Sequence, residues 1–163
     1  MVSCFLSLGS NIGDRLSNIN TAISHINTLR ENSVISESNV YESDAMYNED
    51  LEKFYNCVIK MKTELSPSQL LTFLKNIEKK MGRNLNDERY SPRIIDIDIL
   101  TYGNEIVDSL ALKIPHPHIK ERKFVLKPWS DIDSNYTIAN CNKKIFDLLH
   151  NIADNTELKN INK

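Results

Sequence analysis

Two aspartates interrupt an apolar stretch near the middle of the chain, which reads Ile95-Asp96-Ile97-Asp98-Ile99-Leu100. Because the side chains of a β-strand point alternately to its two faces, this alternation predicts a strand that carries both carboxylates on one face. Their Cα atoms would lie roughly 6.6 Å apart, at a rise of about 3.3 Å per residue. Aspartate is depleted in strands, so the pair indicates a functional site. The alternative is an edge strand with a hydrated acidic face.

Arginines lie close to this acidic pair in the sequence. Arg89 and Arg93 precede it on a proline-containing segment, and Arg83 follows the expected end of a helix. Two carboxylates at this spacing can bind one divalent cation, or two cations about 3.5–4 Å apart. Carboxylates for Mg²⁺ beside guanidinium groups for phosphate are what a nucleotide phosphate-transfer site requires. The alternative is that the arginines pair with Asp87 and Glu88 at the surface.

Three further features could contribute to such a site. The turn Pro115-His116-Pro117-His118 could bind a metal, a phosphate or a nucleotide base, and the sequence leaves these possibilities open. Glu78 falls in the last turn of a predicted helix, where the dipole disfavours an anion, although most such glutamates are simply solvated. The segment Gly9-Ser10-Asn11-Ile12-Gly13 matches no phosphate-loop pattern, so we interpret it as a tight turn with any ligand role secondary.

The composition excludes several classes of protein. A chain of 163 residues with 26% charged residues is typical of one globular domain. A net charge of −2 argues against general binding to nucleic acid or anionic membranes, although residues 113–127 hold five Lys or Arg and one Glu. Three cysteines without zinc spacing predict a reduced, cytoplasmic protein. We expect no signal peptide, no membrane span and a monomer.

The pattern of apolar residues and turn signals predicts alternating strands and helices. Strands are expected at residues 2–8, 34–41, 57–63, 95–100 and 112–114, with a hairpin turn at Gly103-Asn104 leading into residues 105–107. One helix begins after Asp14, and its buried face would be Leu16, Ile19, Ile23 and Ile26. A second begins at Ser66-Pro67-Ser68-Gln69 and ends at Gly82. Short helices are expected from Pro117 and around residues 145–152.

This order of elements indicates the fold class. It is β-α-β-β-α-β-β followed by a helix-rich end, which predicts a ferredoxin-like α+β fold. Helices would pack on an antiparallel sheet, with extra C-terminal helical elements. We expect a single catalytic domain over residues 1–154 and a frayed polar tail over residues 155–163.

These motifs resemble one known family, the 6-hydroxymethyl-7,8-dihydropterin pyrophosphokinases of folate biosynthesis. The resemblance extends from Leu6 to about Leu149, and its Pro-Arg-x-x-Asp-x-Asp-x segment is highly specific. The matching segments are Leu8-Gly9-Ser10-Asn11, Phe54-Tyr55-Asn56, Ile77-Glu78, Gly82-Arg83, Pro92 to Ile99, Pro115-His116 and Arg122 to Leu126. The resemblance implies an enzyme that transfers pyrophosphate from MgATP to the hydroxymethyl group of the pterin and releases AMP.

The resemblance also implies a role for each matching residue. Asp96 and Asp98 would bind two Mg²⁺ ions that bridge the ATP phosphates, and Arg83 and Arg93 would stabilise charge in the transition state. The implied contacts with ATP are Glu78, Arg93, Ile99, His116 and Arg122. The implied contacts with the pterin are Ser43, Met46, Phe54, Asn56 and Phe124. The two phenylalanines would stack on the pterin ring.

Two other functions remain open on the sequence. One is a metal-dependent hydrolase that uses Asp96, Asp98, His116 and His118. The other is a non-catalytic nucleotide-binding module, because Leu85 and Ala111 stand where the family usually has basic residues. Residues 43–53 and 84–91 are polar and flank the expected site, so we expect both segments to close over it only when ATP, Mg²⁺ and pterin are bound.

Overall fold

The computed structural model describes residues 1–45, 52–83 and 91–162, which form ten strands and four α-helices. The strands are β1 (Val2–Ser10), β2 (Asn32–Glu37), β3 (Tyr41–Ser43), β4 (Phe54–Thr63), β5 (Asp96–Tyr102), β6 (Val107–Asp108), β7 (Lys113–Ile114), β8 (Thr137–Ile138), β9 (Lys143–Lys144) and β10 (Lys159–Asn160). The helices are α1 (Arg15–Ile26), α2 (Pro67–Lys80), α3 (Lys123–Asp133) and α4 (Ile145–His150), with a 3₁₀-helix at Ile119–Glu121.

A six-stranded antiparallel sheet lies at the centre, in the order β10-β3-β4-β1-β5, and β2 also pairs with β4. Alternation of side chains along β1 separates two apolar cores. Leu6 and Leu8 pack in the core that contains the buried faces of α1 and α2. Phe5 packs in the core that contains α3 and α4. Helices therefore cover both faces of the sheet, and the expected α+β class with an antiparallel sheet is confirmed.

The helix boundaries follow the capping signals in the sequence. The Asp14 carboxylate accepts a hydrogen bond from Ser17 N at 3.0 Å, and Ser66 forms a capping box with Gln69. Gly82 ends α2 with a φ of +97°, which a residue with a side chain rarely adopts. One detail of the predicted α1 face is wrong, because Leu16 is 37% exposed.

The strand predicted at residues 34–41 is divided by a bulge. Glu37 pairs with Ile59 and Tyr41 pairs with Asn56. The three residues 38–40 therefore lie opposite only two residues of β4, 57 and 58. The bulge is held by Ser38, whose backbone N–H donates to Val58 O at 2.9 Å. An extra residue bends a strand and increases its twist, which directs β3 toward the end of β4.

The predicted hairpin after β5 is wrong. Gly103 does adopt a turn conformation with a φ of +52°, but β6 pairs with β7 rather than with β5. Other groups hydrogen-bond to the backbone of β5: His116 N donates to Leu100 O at 2.9 Å, and Ile97 N donates to Glu78 Oε1 at 2.7 Å. Residues 105–107 therefore turn away from the main sheet.

Two C-terminal elements differ from expectation. The short helix expected from Pro117 corresponds to the 3₁₀-helix at Ile119–Glu121, but the longer helix α3 that follows it was not predicted. The expected frayed tail is also wrong, since β10 adds an outer strand to the main sheet by pairing with β3. None of the described helices has both the length and the apolar character needed to cross a lipid bilayer.

Candidate active site

Three directly paired residues form a row across the sheet where β1, β4 and β5 lie side by side. Gly9 pairs with Asn56 of β4 on one side and with Asp96 of β5 on the other. Directly paired residues of antiparallel strands share a face, so the Asn56 amide and the Asp96 carboxylate project to the same side. Their Cα atoms lie about 10 Å apart, two strand spacings of about 4.8 Å each. Gly9 has no side chain to fill the face between them.

Asp96 is neutralised by two arginines. Arg83 Nη1 contacts its Oδ1 at 2.5 Å, and Arg93 Nη1 contacts its Oδ2 at 2.5 Å. Burial alone would raise the pKa of Asp96, but the Arg83 and Arg93 guanidinium groups hold this pKa below its usual value. Arg83 and Arg93 therefore share one carboxylate, and a negatively charged ligand could take its place. Arg89, the third arginine near the acidic strand in the sequence, lies outside the described residues.

Glu78 supports this cluster from α2. Its side chain is fully buried, and its Oε2 accepts from Arg83 Nη1 at 2.7 Å. Lys75 Nζ lies 3.0 Å from both carboxylate oxygens, and Ile97 N donates to Oε1. Burial raises the pKa of Glu78, while Lys75 opposes that shift. Because both oxygens contact protein groups, the implied contact of Glu78 with ATP stays a prediction.

Asp98 has a different environment from Asp96. The nearest basic groups to its carboxylate are the Arg122 guanidinium, with Nη1 at 3.6 Å, and the His116 imidazole, with Nε2 at 3.9 Å. Both lie beyond hydrogen-bond distance, and a third of the Asp98 side chain is exposed. Burial, followed by repulsion from Asp96, raises the pKa of Asp98 to about 6. Among the described residues no side chain donates a hydrogen bond to this carboxylate, so its oxygens are available to a ligand.

The donor set fits a hard divalent cation that also binds a substrate. Carboxylate oxygens are the ligands that Mg²⁺ prefers, and Mg²⁺ is commonly bound by one or two carboxylates together with phosphates. Within the described ranges, no group of three His, Cys, Asp or Glu lies close enough to hold a metal without a substrate. Asp96 and Asp98 therefore match a site for a metal–nucleotide complex better than a site for a resident metal.

A second wall of the site comes from the segment before α3. His116 is largely buried, and burial, followed by the charge of Arg122, lowers its pKa to about 4. Arg122 Nε is buried without a hydrogen-bond partner among the described residues, and its guanidinium lies 5.8 Å from the Phe124 ring centre. An unpaired buried donor beside Asp98 suits an anionic ligand. His118 instead faces outward and contacts Glu121 at 3.2 Å.

Three of the residues implied for the pterin, Asn56, Ser43 and Phe54, lie together at the other end of the row. Asn56 Nδ2 donates to Ser43 Oγ at 2.9 Å, and both residues are buried. Phe54 is half-buried beside them, and Phe124, also half-buried, lies in the first turn of α3. A Cβ on Gly9 would lie 3.1 Å from Asn56 Oδ1 and 3.6 Å from Phe54 Cδ1. Only a glycine at position 9 leaves the surface of the sheet open beside Asn56 and Phe54.

Three of the expectations cannot be placed with these residues. Met46 lies outside the described residues, as do most of the two segments expected to close over the site. The Ile99 side chain is buried in the apolar core, so its implied contact with ATP stays a prediction.

The sequence analysis missed the role of Asn11 in holding Arg93. Asn11 Oδ1 accepts from Arg93 N at 2.6 Å, and Asn11 N donates to Arg93 O at 3.1 Å. Its Nδ2 also donates to Glu52 O at 3.4 Å. In the sequence Asn11 was a polar residue in a turn, within the segment Leu8-Gly9-Ser10-Asn11 that resembles the family, and neither signal identifies a partner 82 residues away.

Comparison with known proteins agrees with this geometry. Residues 5–134 match the family model for 7,8-dihydro-6-hydroxymethylpterin-pyrophosphokinase. The chain is 42% identical over 135 residues to the 2-amino-4-hydroxy-6-hydroxymethyldihydropteridine pyrophosphokinase of Aquifex aeolicus, covering 83% of this chain and 82% of that protein. It is 34% identical over 159 residues to the Haemophilus influenzae protein of the same name, covering 98% of each.

Longer relatives contain the same unit. A folic acid synthesis protein of Pneumocystis carinii is 45% identical over 131 residues, which are 80% of this chain and 17% of that protein. This chain therefore spans less than a fifth of that relative's length. The fold matches a Plasmodium falciparum HPPK-DHPS crystallised with pteroate, with a TM-score of 0.73 at 18% identity, over 91% of this chain and 42% of the other. The chain belongs to the 7,8-dihydro-6-hydroxymethylpterin-pyrophosphokinase family.

Proposed function

We propose that this protein transfers pyrophosphate from ATP to the hydroxymethyl group of 6-hydroxymethyl-7,8-dihydropterin, a step of folate biosynthesis. The products are AMP and the pterin diphosphate. The observation that carries the proposal is the row formed by Asn56, Gly9 and Asp96, because it sets an amide suited to a heterocycle about 10 Å from a carboxylate–arginine cluster suited to phosphates. Family membership supplies the identity of the two substrates.

The charged end of the row would bind the nucleotide. Asp98 and Asp96 would hold Mg²⁺ jointly with the phosphate oxygens, and two bound ions would offset the phosphate charge. Arg83 and Arg93 would then exchange the Asp96 carboxylate for phosphate oxygens. Arg122, with its unpaired buried Nε, would contact the phosphates from the second wall. Glu78, Ile99 and His116 complete the proposed nucleotide contacts.

The polar end of the row would bind the pterin. The Asn56 amide would hydrogen-bond to the heterocycle edge, beside Ser43. Phe54 and Phe124 would stack on the faces of the ring, which contributes beyond the buried area alone. Met46 belongs to the proposed pterin contacts on the basis of the resemblance alone.

The reaction then requires positioning and charge stabilisation. The hydroxymethyl oxygen of the pterin attacks the β-phosphorus of ATP and forms the new O–P bond. The bond between the β-phosphorus and the oxygen that bridges to the α-phosphorus breaks, and that oxygen leaves with AMP. The hydroxyl proton passes to solvent. Held reactants and fixed guanidinium charges supply large rate effects without a protein base.

A direct assay tests the proposal. Incubation with MgATP and 6-hydroxymethyl-7,8-dihydropterin should produce AMP and pterin diphosphate in equal amounts, and omission of the pterin should abolish both. AMP without pterin diphosphate, or ADP as the product, would contradict the proposal. Absence of any turnover together with tight ATP binding would favour the non-catalytic module.

One alternative is disfavoured by the geometry. A hydrolase with a resident metal would need His118 near the aspartates, but His118 faces outward toward Glu121. Bound Zn²⁺ or Mn²⁺ in the purified protein would revive this alternative.

We also propose a ferredoxin-like topology and a single catalytic domain that includes residues 1–154 and, through the pairing of β10 with β3, the C-terminal segment. If β2 and β3 are counted as one bulged strand, four strands connected through α1 and α2 have the required antiparallel order. The net charge of −2 supports binding of small molecules rather than nucleic acid or membranes, and the cysteine pattern supports a cytoplasmic location. We also propose that the protein is a monomer.

A side chain added at Gly9 should weaken binding of the pterin but not of ATP. Gly9→Ala would place a Cβ 3.1 Å from Asn56 Oδ1, so the amide that reads the pterin must shift. We expect the KM for pterin to rise by about tenfold or more, the effect of about 1.4 kcal/mol, while the ATP affinity stays within about twofold. Steady-state kinetics and ATP titration measure the two effects. Equal loss of both affinities would place the disturbance in the fold rather than in the pterin site.

A further inference from the structure

The C-terminal residues 154–162 connect the two elements that border the proposed pterin site. At one end β10 pairs with β3, with Asn160 opposite Tyr41, two residues before Ser43. At the other end the Asp154 carboxylate contacts the first residue of α3, directly before Phe124. The family match ends at residue 134, so this connection lies outside the matched region.

Asp154 supplies the cap that α3 lacks locally. The residue at the N-cap position, Arg122, makes no side-chain capping hydrogen bond. Instead Asp154 Oδ2 accepts from Lys123 N at 3.2 Å, which satisfies a free N–H in the first turn and adds a negative charge there. Lys123 Nζ donates to Thr156 O at 2.8 Å, so backbone and side chain of one residue are both held by the C-terminal segment.

The Asp154 side chain is itself held rigidly. Its Oδ1 accepts from Thr156 N at 2.8 Å and from Thr156 Oγ1 at 2.5 Å. Partial burial alone would raise the pKa of Asp154, but these hydrogen bonds and the one from Lys123 N hold this pKa below its usual value. The carboxylate therefore stays charged and oriented toward α3 at neutral pH.

Hydrogen bonds also fix the other end of the segment. Asn162 Oδ1 accepts from Val40 N at 2.6 Å, and Ile161 N donates to Val40 O at 2.9 Å. These contacts lie on the residue immediately before β3, the strand that carries Ser43. The position of β3 relative to α3 is thus constrained by a chain segment that contributes no side chain to the proposed site.

We propose that Asp154 and Asn162 are positioning residues for substrate binding, because they set the separation between β3 and the start of α3. The inference rests on the proposed function. Asp154 fixes the position of Arg122 and Phe124, which are proposed contacts of ATP and of the pterin respectively, so its loss should affect the binding of both substrates. Asn162 fixes the position of the strand that carries Ser43, so its loss should affect the binding of the pterin alone. Neither residue touches a substrate.

Two variants and a matched control test this division. Asp154→Ala should raise the KM for both pterin and ATP by about fivefold to tenfold, the effect expected for loss of a helix cap, with kcat within about twofold. Asn162→Ala should raise the KM for pterin alone. Glu157→Ala removes the same charge from an exposed position in the same segment and should change neither KM. Asp154→Asn keeps one acceptor oxygen and should recover part of the loss.

Outcomes that overturn the inference differ from those that overturn the proposed function. Unchanged KM values in both variants, with only a lower Tm, would make the segment purely structural, as would an equal effect of Glu157→Ala. If the parent protein itself forms no AMP, the proposed function fails, and amide hydrogen exchange still tests the connection. In that measurement Asp154→Ala should speed exchange at Lys123, and Asn162→Ala should speed exchange at Val40.

Discussion

Asp98→Asn should nearly abolish AMP formation and leave the ligand-free protein at least as stable as the parent. The variant loses a proposed Mg²⁺ ligand, for which we expect a loss on the order of a thousandfold, about 4 kcal/mol. It also removes a charge that the fold disfavours, because burial and Asp96 raise the pKa of Asp98 to about 6. Activity and stability should therefore change in opposite directions.

The stability difference should depend on pH. The folded-state pKa of Asp98, about 6, lies above the unfolded value of about 3.9, so protonation of Asp98 stabilises the folded state. This stabilisation is fully present below about pH 3.9 and is lost as the pH rises through about 6. The Tm advantage of Asp98→Asn should thus be absent below about pH 4 and full above about pH 6. Thermal melts across this range measure it.

Two comparisons make the result specific to Asp98. Asp96→Asn should lower the Tm, because Arg83 and Arg93 lose their shared partner. Asp147→Asn removes an exposed carboxylate from α4 and should change neither property. If Asp98→Asn kept activity within about tenfold of the parent, a loss of only about 1.4 kcal/mol, the metal assignment would be wrong.

Arg83→Ala should lower kcat by about a hundredfold or more while weakening ATP binding much less, if its contact with phosphate forms mainly in the transition state. Arg83 lies between Glu78 and Asp96, so its removal also leaves a buried carboxylate with one fewer cation. Breaking such a buried pair costs about 3 kcal/mol of stability. Single-turnover kinetics, nucleotide titration and thermal melts separate the three effects.

A double variant distinguishes chemistry from folding. Glu78→Gln combined with Arg83→Ala removes the carboxylate that has lost one of its two cationic partners, so it should recover part of the lost Tm without recovering kcat. Arg30→Ala deletes a guanidinium from an exposed position and serves as the control. An unchanged kcat with weaker ATP binding in Arg83→Ala would place this arginine in the ground-state nucleotide site instead.

The sequence predicts features that depend on near neighbours. Alternation alone placed Asp96 and Asp98 on one face, and local capping signals located the starts of α1 and α2 at Asp14 and Ser66. These signals act within a few residues, where geometry is nearly fixed by the backbone. Helix α3 was missed because its N-cap residue, Arg122, provides no local capping signal.

Other features depend on which distant segments meet. Gly9 became informative only when the strand register set it between Asn56 and Asp96, and no pattern in one sequence encodes that register. Asn11 and Asp154 are similar cases, because each hydrogen-bonds to a residue far along the chain. The resemblance to a family supplied residue roles that physical reasoning from the sequence left open.

The pairing of Asp96 with two arginines has a thermodynamic consequence for how the substrates bind. On the proposed function, ATP without Mg²⁺ must compete with Asp96 for both guanidinium groups, and Mg²⁺ without ATP must compete with both guanidinium groups for Asp96. When both arrive, the cation takes the carboxylate and the anion takes the arginines, so no charge is left without a partner. Each ligand therefore increases the affinity of the protein for the other by the same factor, and the nucleotide and metal enter as a linked pair.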